Sequence, residues 1–390
     1  MIYFDNAATS WPKPKAVIAA VQEYWREAGG NPGRSGHRMS IVAARIIEHA
    51  RESLADLFHV IDPSRLIFTH NATHALNLAL LGCLHYGDHV VTTSLEHNSV
   101  MRPLRHLETM GVEIAVVGCA PDGSLDLDDV RGAFRANTRL LVTTHASNVI
   151  GRLMPVAALS LLAREHDALC LVDGSQTAGA IPIDIEELGI DLFAFTGHKG
   201  LMGPTGTGGL YIRDEIVLEP LIRGGTGSMS DHEIQPEFLP DMYESGTANV
   251  AGIAGLAAAI RFLADTGIEA VMSHERKVAA HFLKALEIPG VTVYGPTDSG
   301  LKCGIVSFNV AGATPSEVGS ILEDSFGILV RTGLHCAPAA HRTLGTFPAG
   351  TVRASFGWFN TPDEVETALH AVRQVAEWAT ATALSGPGGG

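Results

Sequence analysis

Two short apolar runs near the middle of the chain each end in a cluster of polar residues. The run 169–172 closes on Asp173-Gly174-Ser175-Gln176, and the run 192–195 closes on Thr196-Gly197-His198-Lys199. A lone Asp after a strand is most often an N-cap, and a lone Lys in a loop is most often solvated. An Asp and a Lys at the ends of neighbouring strands carry more meaning, because ligands of open parallel sheets bind beyond the carboxyl ends of the strands. Such a pair suits pyridoxal phosphate (PLP). That cofactor needs a lysine amine for its aldehyde and a carboxylate for its pyridine nitrogen, whose proton lets the ring accept electrons from a carbanion.

Other strand ends offer residues that would complete such a site. The run 66–69 leads into Asn71-Ala72-Thr73-His74 and then an apolar helical pattern. Backbone N–H groups and the Thr73 hydroxyl would form an anion site at that helix N-terminus. A plain helix cap explains Thr73 equally well, and Thr196 and His198 shift the reading toward a phosphate cradle. His97, after the run 89–93, is either a ring stacked on a flat cofactor or a satisfied buried histidine. Asn148, after the run 139–144, is either a ligand group or a turn residue. Further on, Arg353 is a candidate for a substrate α-carboxylate, which a guanidinium matches with two parallel hydrogen bonds; a surface ion pair is the alternative. Cys336 lies in Arg331-Thr332-Gly333-Leu334-His335-Cys336-Ala337-Pro338, among Gly, His and Pro. As a thiolate it would be a nucleophile, aided by positive charge from Arg331 or His335. As a buried thiol it would be inert. Cys83, Cys119, Cys170 and Cys303 lie in or beside apolar runs and read as packing residues.

These residues need a scaffold that brings strand ends together. β-rich runs at 66–69, 89–93, 113–117, 139–144, 169–173, 192–196 and 209–212 alternate with helical patterns such as 75–84 and 156–166. Most of the runs are almost continuously apolar, as in strands buried on both faces. The pattern predicts an α/β fold with a mostly parallel seven-stranded sheet sandwiched by helices. After residue 251 the text changes to helices at 252–264 and 268–286, strands at 291–294 and 304–310, and helices at 316–326 and 362–379, a smaller α+β C-terminal domain. The expected division is a large PLP-binding domain at 15–262, a small domain from 1–14 and 263–384, and a disordered tail at 385–390.

With 390 residues, 46% of them hydrophobic, the chain can bury two cores. A formal net charge of −15 argues against non-specific binding to nucleic acid or an anionic membrane. No apolar run is long enough to span a bilayer, and the opening residues lack a basic segment followed by an apolar one. The five cysteines are scattered without a CxxC pair, which suits reduced thiols in a cytoplasm better than disulfides or a metal site.

Tyr3-Phe4-Asp5-Asn6-Ala7-Ala8-Thr9, Asn71-Ala72-Thr73, Glu96-His97-Asn98, Ser147-Asn148-Val149-Ile150-Gly151, Asp173-Gly174-Ser175-Gln176, Thr196-Gly197-His198-Lys199 and Glu244-Ser245-Gly246-Thr247 fall in one familiar order. In this the chain resembles the class V aminotransferase family of fold-type I PLP enzymes, and within it the cysteine desulfurases and selenocysteine lyases. The resemblance covers nearly the whole chain. It implies a fold-type I PLP-dependent transferase in which Lys199 holds the cofactor, Asp173 pairs with the pyridine nitrogen, Gln176 contacts the ring hydroxyl and His97 stacks on the ring. Thr73, Thr196 and His198 would hold the phosphate, with Ala72 and Asn148 also against the cofactor. Thr247 would reach the phosphate of the other subunit in a homodimer. Arg353, Asn148 and Arg331 would meet the substrate. Arg-Thr-Gly-x-His-Cys resembles the short, ordered catalytic-cysteine loop of group II cysteine desulfurases, which implies that L-cysteine becomes L-alanine and a persulfide forms on Cys336. A sulfur-acceptor protein would then be a partner.

Three features depart from the group II pattern: Leu334 in place of a second histidine, Asn71-Ala72 in place of Gly-Thr, and the stretch from Asn31 to His37. They bear on the preferred substrate and acceptor. Selenocysteine lyase, a C–S or C–N lyase, an aminotransferase and a non-catalytic PLP-binding scaffold are the competing readings. The intact set of Lys199, Asp173, Cys336 and Arg353 speaks against the last.

Overall fold

The computed structural model describes residues 1–33 and 36–385. Its centre is a seven-stranded sheet in the order Leu66–Thr69, Gly208–Ile212, Leu192–Thr196, Leu169–Asp173, Thr138–Thr144, His89–Thr93, Glu113–Val117. Gly208–Ile212 runs antiparallel to both neighbours, and every other pairing is parallel. The sheet is therefore mostly parallel, as the apolar runs require. Alternate residues of each strand feed different cores. Leu140, Val142, Leu192 and Ala194 face one layer of helices, which includes Ala72–Cys83 and Asn98–Thr109. Leu141, Val172, Phe193 and Phe195 face the opposite layer, which includes Val156–Glu165. Burial on both faces explains why the central strands are apolar throughout. The edge strand Glu113–Val117 exposes the most side chains, and Arg139 is exposed near the start of its strand.

A second, separate core lies over a four-stranded antiparallel sheet ordered Arg331–Gly333, Thr351–Ser355, Ile305–Val310, Val291–Tyr294. Helices Ile268–Ala285, Pro315–Phe326 and Pro362–Ser385 pack on it. The N-terminus joins this core. Ile2–Tyr3 pairs in parallel with Ile328–Leu329, and Phe4 is fully buried against Phe282 and Phe356.

Helix ends differ from the sequence periodicity where polar residues do the capping. The helix expected at 75–84 begins at Ala72, because the Asn71 side chain accepts a 3.0 Å hydrogen bond from the His74 N–H and caps it. The last helix continues to Ser385, so that residue of the expected tail is helical, while 386–390 lie outside the described residues. Arg34 and Ser35, in the stretch from Asn31 to His37, also lie outside them. Among the described residues no single helix is long and apolar enough to cross a membrane.

Candidate active site

Five parallel strands end on the same edge of the large sheet, and their following loops enclose a cleft of about 460 Å³. Ala72, Thr73, His97, Asn148, Asp173, Gln176, Thr196, His198 and Lys199 all line it. The fold thus gathers into one cavity nine residues that are spread over some 130 positions of sequence.

Asp173 ends its strand almost completely buried. Its Oδ1 accepts hydrogen bonds from the N–H and hydroxyl of Ser175, at 2.9 and 2.5 Å. Those bonds fix the carboxylate and leave Oδ2 for a ligand. Across the cleft, burial pulls the Lys199 amine down to about 8; Asp173 opposes this, while Arg353 and Arg331 add to it. An amine so placed sheds its proton readily near neutral pH.

His97 caps the helix Asn98–Thr109, its Nδ1 accepting from the Ser99 N–H at 3.1 Å. That bond puts the ring proton on Nε2. Burial pulls the imidazole down to about 4, against the pull of Asp173, so the ring is neutral. Ser99 and Thr73 share a hydrogen bond of 2.8 Å, which joins the His97 loop to the turn at 71–73. Gly208 lets the turn sit close to the sheet: a Cβ there would lie 2.8 Å from the Asn71 backbone.

The same cleft contains polar atoms with no protein partner. Thr196 Oγ1 and His198 Nδ1 are both buried and unpaired. Burial, with Lys199 and Lys13 nearby, pulls His198 down to about 4. Two unpaired side-chain atoms beside the helix N-terminus at Ala72 and the Thr73 hydroxyl form a donor set suited to a phosphate. A carboxylate and a lysine amine lie on the other side. The residues present fit PLP. Gln176, whose Nε2 donates to the Ala7 carbonyl at 3.2 Å, closes one end.

Cys336 stands outside the cleft wall, and the structure ties it there. The Asn98 N–H donates to the Cys336 carbonyl at 2.8 Å, and Asn148 Nδ2 donates to the His335 carbonyl at 2.7 Å. Both residues sit in the left-handed region, with φ of 47° at His335 and 58° at Cys336. Non-glycine residues there cost about 1 kcal/mol each or more, so the two clamps hold a strained corner in place. Cys336 is exposed, and Arg331 Nη2 lies 3.6 Å from its sulfur. The other four cysteines are buried or half-buried, and burial drives the Cys170 and Cys303 thiols up to about 12. His335 is not a source of positive charge. Its ring is buried, hydrogen-bonded to Thr351 Oγ1 at 3.0 Å, and held down to about 2, so it is neutral.

Arg353, 1% exposed, lies beside Asn148 of the cleft. It donates to the Asn148 carbonyl at 2.9 Å and to Asp5 Oδ1 at 2.8 Å, while its Nε is buried without a partner. Arg331 is its direct cross-strand neighbour. Thr247 is exposed and lines a different cavity, with His70 and Asn249.

The sequence reading missed three supporting residues. Ser175 and Asp5 hold Asp173 and Arg353, and both had been noted only as parts of motifs. Glu96, fully buried, bridges two strand ends through Oε1, which accepts from Thr93 Oγ1 at 2.7 Å and the Thr144 N–H at 3.1 Å.

The profile of the family described as aminotransferase class-V matches residues 2–368, and the chain belongs to that family. Its architecture is that of the fold-type I PLP enzymes. The chain is 37% identical over 386 residues to a probable cysteine desulfurase of Pyrococcus abyssi, covering 97% of this chain and 94% of that one. Among solved structures, the apo form of a cysteine desulfurase from Thermococcus onnurineus NA1 superposes with a TM-score of 0.91 at 37% identity, over 97% and 95% of the two chains. A cysteine desulfurase from Escherichia coli superposes at 0.86 with 31% identity, over 96% and 94%.

Proposed function

We propose that this chain is a PLP-dependent cysteine desulfurase that converts L-cysteine to L-alanine and carries the sulfur away as a persulfide on Cys336. One observation carries the reading: the single exposed thiol lies beside Arg331 and is clamped, through Asn98 and Asn148, to the loops of the Lys199–Asp173 cleft. A plain aminotransferase has no use for such a thiol.

Bound PLP supplies an electron sink for the negative charge that develops at the substrate Cα. Thr73, Thr196, His198 and the Ala72 turn would hold its phosphate, Asp173 its pyridine nitrogen and Gln176 its hydroxyl, with His97 over the ring. A neutral His97 adds no charge to compete with Asp173. Lys199 removes the Cα proton and returns it during alanine formation, a task matched to an amine that loses its proton near neutral pH. Asn148 and Arg353, with Arg331 beside them, meet the substrate carboxylate. The Cys336 thiolate attacks the substrate sulfur, forming an S–S bond as the C–S bond breaks, and the electron pair of that bond stays on the amino-acid carbon.

Thr247, exposed and away from its own cleft, supports a homodimer in which it serves the partner's phosphate site. The separate second core supports a division into a cofactor domain at 15–262 and a small domain from 1–14 and 263–384. Five free thiols suit a reducing cytoplasm, and a sulfur-acceptor protein would collect the persulfide.

The test is Cys336→Ala. Cofactor absorbance should persist while alanine release from L-cysteine falls by about 10²-fold or more. Alanine formed at the wild-type rate, with the sulfur appearing only as free sulfide, would refute the persulfide route.

A further inference from the structure

A second cavity of about 500 Å³ adjoins the cleft and shares Lys199 and Gln176 with it. It opens on the other side of the lysine loop, against residues of the second core. Its walls are mainly apolar and aromatic: Met202, Phe356, Trp358 and Phe359. Into this setting the helix Ile268–Ala285 places the carboxyl of Glu275, only 7% exposed.

A carboxyl so deeply buried is normally paired or hydrogen-bonded, because leaving it alone costs several kcal/mol. Among the described residues Glu275 has no such partner. Burial alone drives it up to about 8, with no charge and no hydrogen bond acting on it. Asn6 and Ser355, two polar residues of the lining, are already occupied. Asn6 Nδ2 donates to the Ser355 carbonyl and to Asn360 Oδ1, both at 3.0 Å, and Asn6 Oδ1 accepts from the Trp11 N–H at 3.2 Å. Ser355 Oγ accepts from the Ala7 N–H at 2.9 Å and donates to the Phe4 carbonyl at 3.3 Å. The nearby cation Lys302 is turned aside, its Nζ donating to the Pro296 carbonyl at 3.3 Å. Glu275 is thus an acceptor in this chamber without a partner among the described residues.

We propose that this chamber is a binding site for a small organic ammonium ion, with Glu275 as its counter-charge and the aromatic walls as its cage. A carboxyl set among aromatic side chains is the pattern that recognises alkylated ammonium groups, where ring faces and carboxylate attract the same cation. Free inorganic cations would lack enough oxygen ligands here, since the side chains of Asn6 and Ser355 are already hydrogen-bonded within the protein. Because the chamber touches the loop that carries Lys199, its occupant would lie against the catalytic lysine's own segment. The proposal does not depend on the reaction assigned to Cys336.

The test uses tetramethylammonium, which carries no N–H and cannot form an imine with the cofactor. Titration calorimetry on the cofactor-loaded protein at about pH 9, above the raised value of Glu275, should show one site per chain in the millimolar range. Glu275→Gln should weaken it about tenfold or more, and Trp358→Leu should weaken it as well. Neither variant should change alanine formation measured without the probe. tert-Butanol, similar in size and neutral, should bind far more weakly. The proposal is overturned by equal binding to wild type and Glu275→Gln, by equal binding of tert-butanol, or by no binding at millimolar concentrations to a wild type whose cofactor is in place. Melting temperatures of the two variants establish that both are folded.

Discussion

Glu96 makes a sharp prediction because it is a carboxyl with no access to water. Two donors reach Oε1, but Oε2 is buried without a partner. Burial, with Asp173 adding to it, drives the group from 4.5 up to about 8 against the two hydrogen bonds. In the unfolded chain it titrates near the ordinary glutamate value. Its folded pKa is therefore the higher one, so its contribution is complete below the unfolded value and is lost as pH rises toward about 8. Between about pH 5 and pH 7.5 the loss is about 3 kcal/mol, from about 1.4 kcal/mol per unit. Glu96→Gln removes the titration and keeps an acceptor for Thr93 and Thr144. The variant should gain on the wild type by about that amount over this range, whatever the offset at pH 5. For a chain of 390 residues the melting entropy is about 0.8 kcal/mol/K, so the gain is about 4 °C. Calorimetric melts of both proteins at a series of pH values measure it directly. A gap that stays constant, or closes as pH rises, would mean that Glu96 is ionised in the fold and would refute the reasoning.

Three further outcomes test the site. Lys199→Ala should keep the fold and lose every borohydride-stable bond between cofactor and protein; a trapped adduct in the purified variant would move the assignment to another amine. Asp173→Asn should retain part of the cofactor yet lose about 10²-fold or more in turnover, because an amide cannot favour a protonated ring nitrogen; near-normal kcat would show that this charge is not needed. Arg331→Ala should lower kcat/KM for L-cysteine about tenfold or more without changing cofactor content, and Arg331→Lys should restore part of it. Equal rates in wild type and alanine variant would separate Arg331 from the sulfur step.

The large sheet was legible because strands buried on both faces must be apolar, and Asp173 and Lys199 stood out as polar residues at the ends of such runs. The small sheet was harder to read. Arg331–Gly333 and Thr351–Ser355 are short and carry arginine and threonine, which say little about burial by themselves. That Arg353 would be tied to Asp5 depends on two points 348 residues apart, beyond any local pattern. Helices Lys15–Glu27 and Arg38–Phe58 went unread although their apolar residues recur at helical spacing. Glu96 was hidden because a glutamate is ordinarily taken as solvated. Glu275 was in principle visible: it follows Val271 by four residues and precedes Val278, Ala279 and Phe282 on one stripe of its helix, the stripe that is buried.

The placement of the first strand has a consequence for how the protein is made. Phe4 precedes by hundreds of residues the partners it packs against in the second core, Phe282 and Phe356. Asp5 likewise waits for Arg353. The large sheet has all its strands once residue 212 has emerged, while the opening segment lacks its full set of partners until residue 356 has been made. During that interval an apolar tip and an unpaired strand are open to other chains. Because the opening segment carries Asp5, the ion pair of Asp5 with Arg353 forms only after that segment has met the second core.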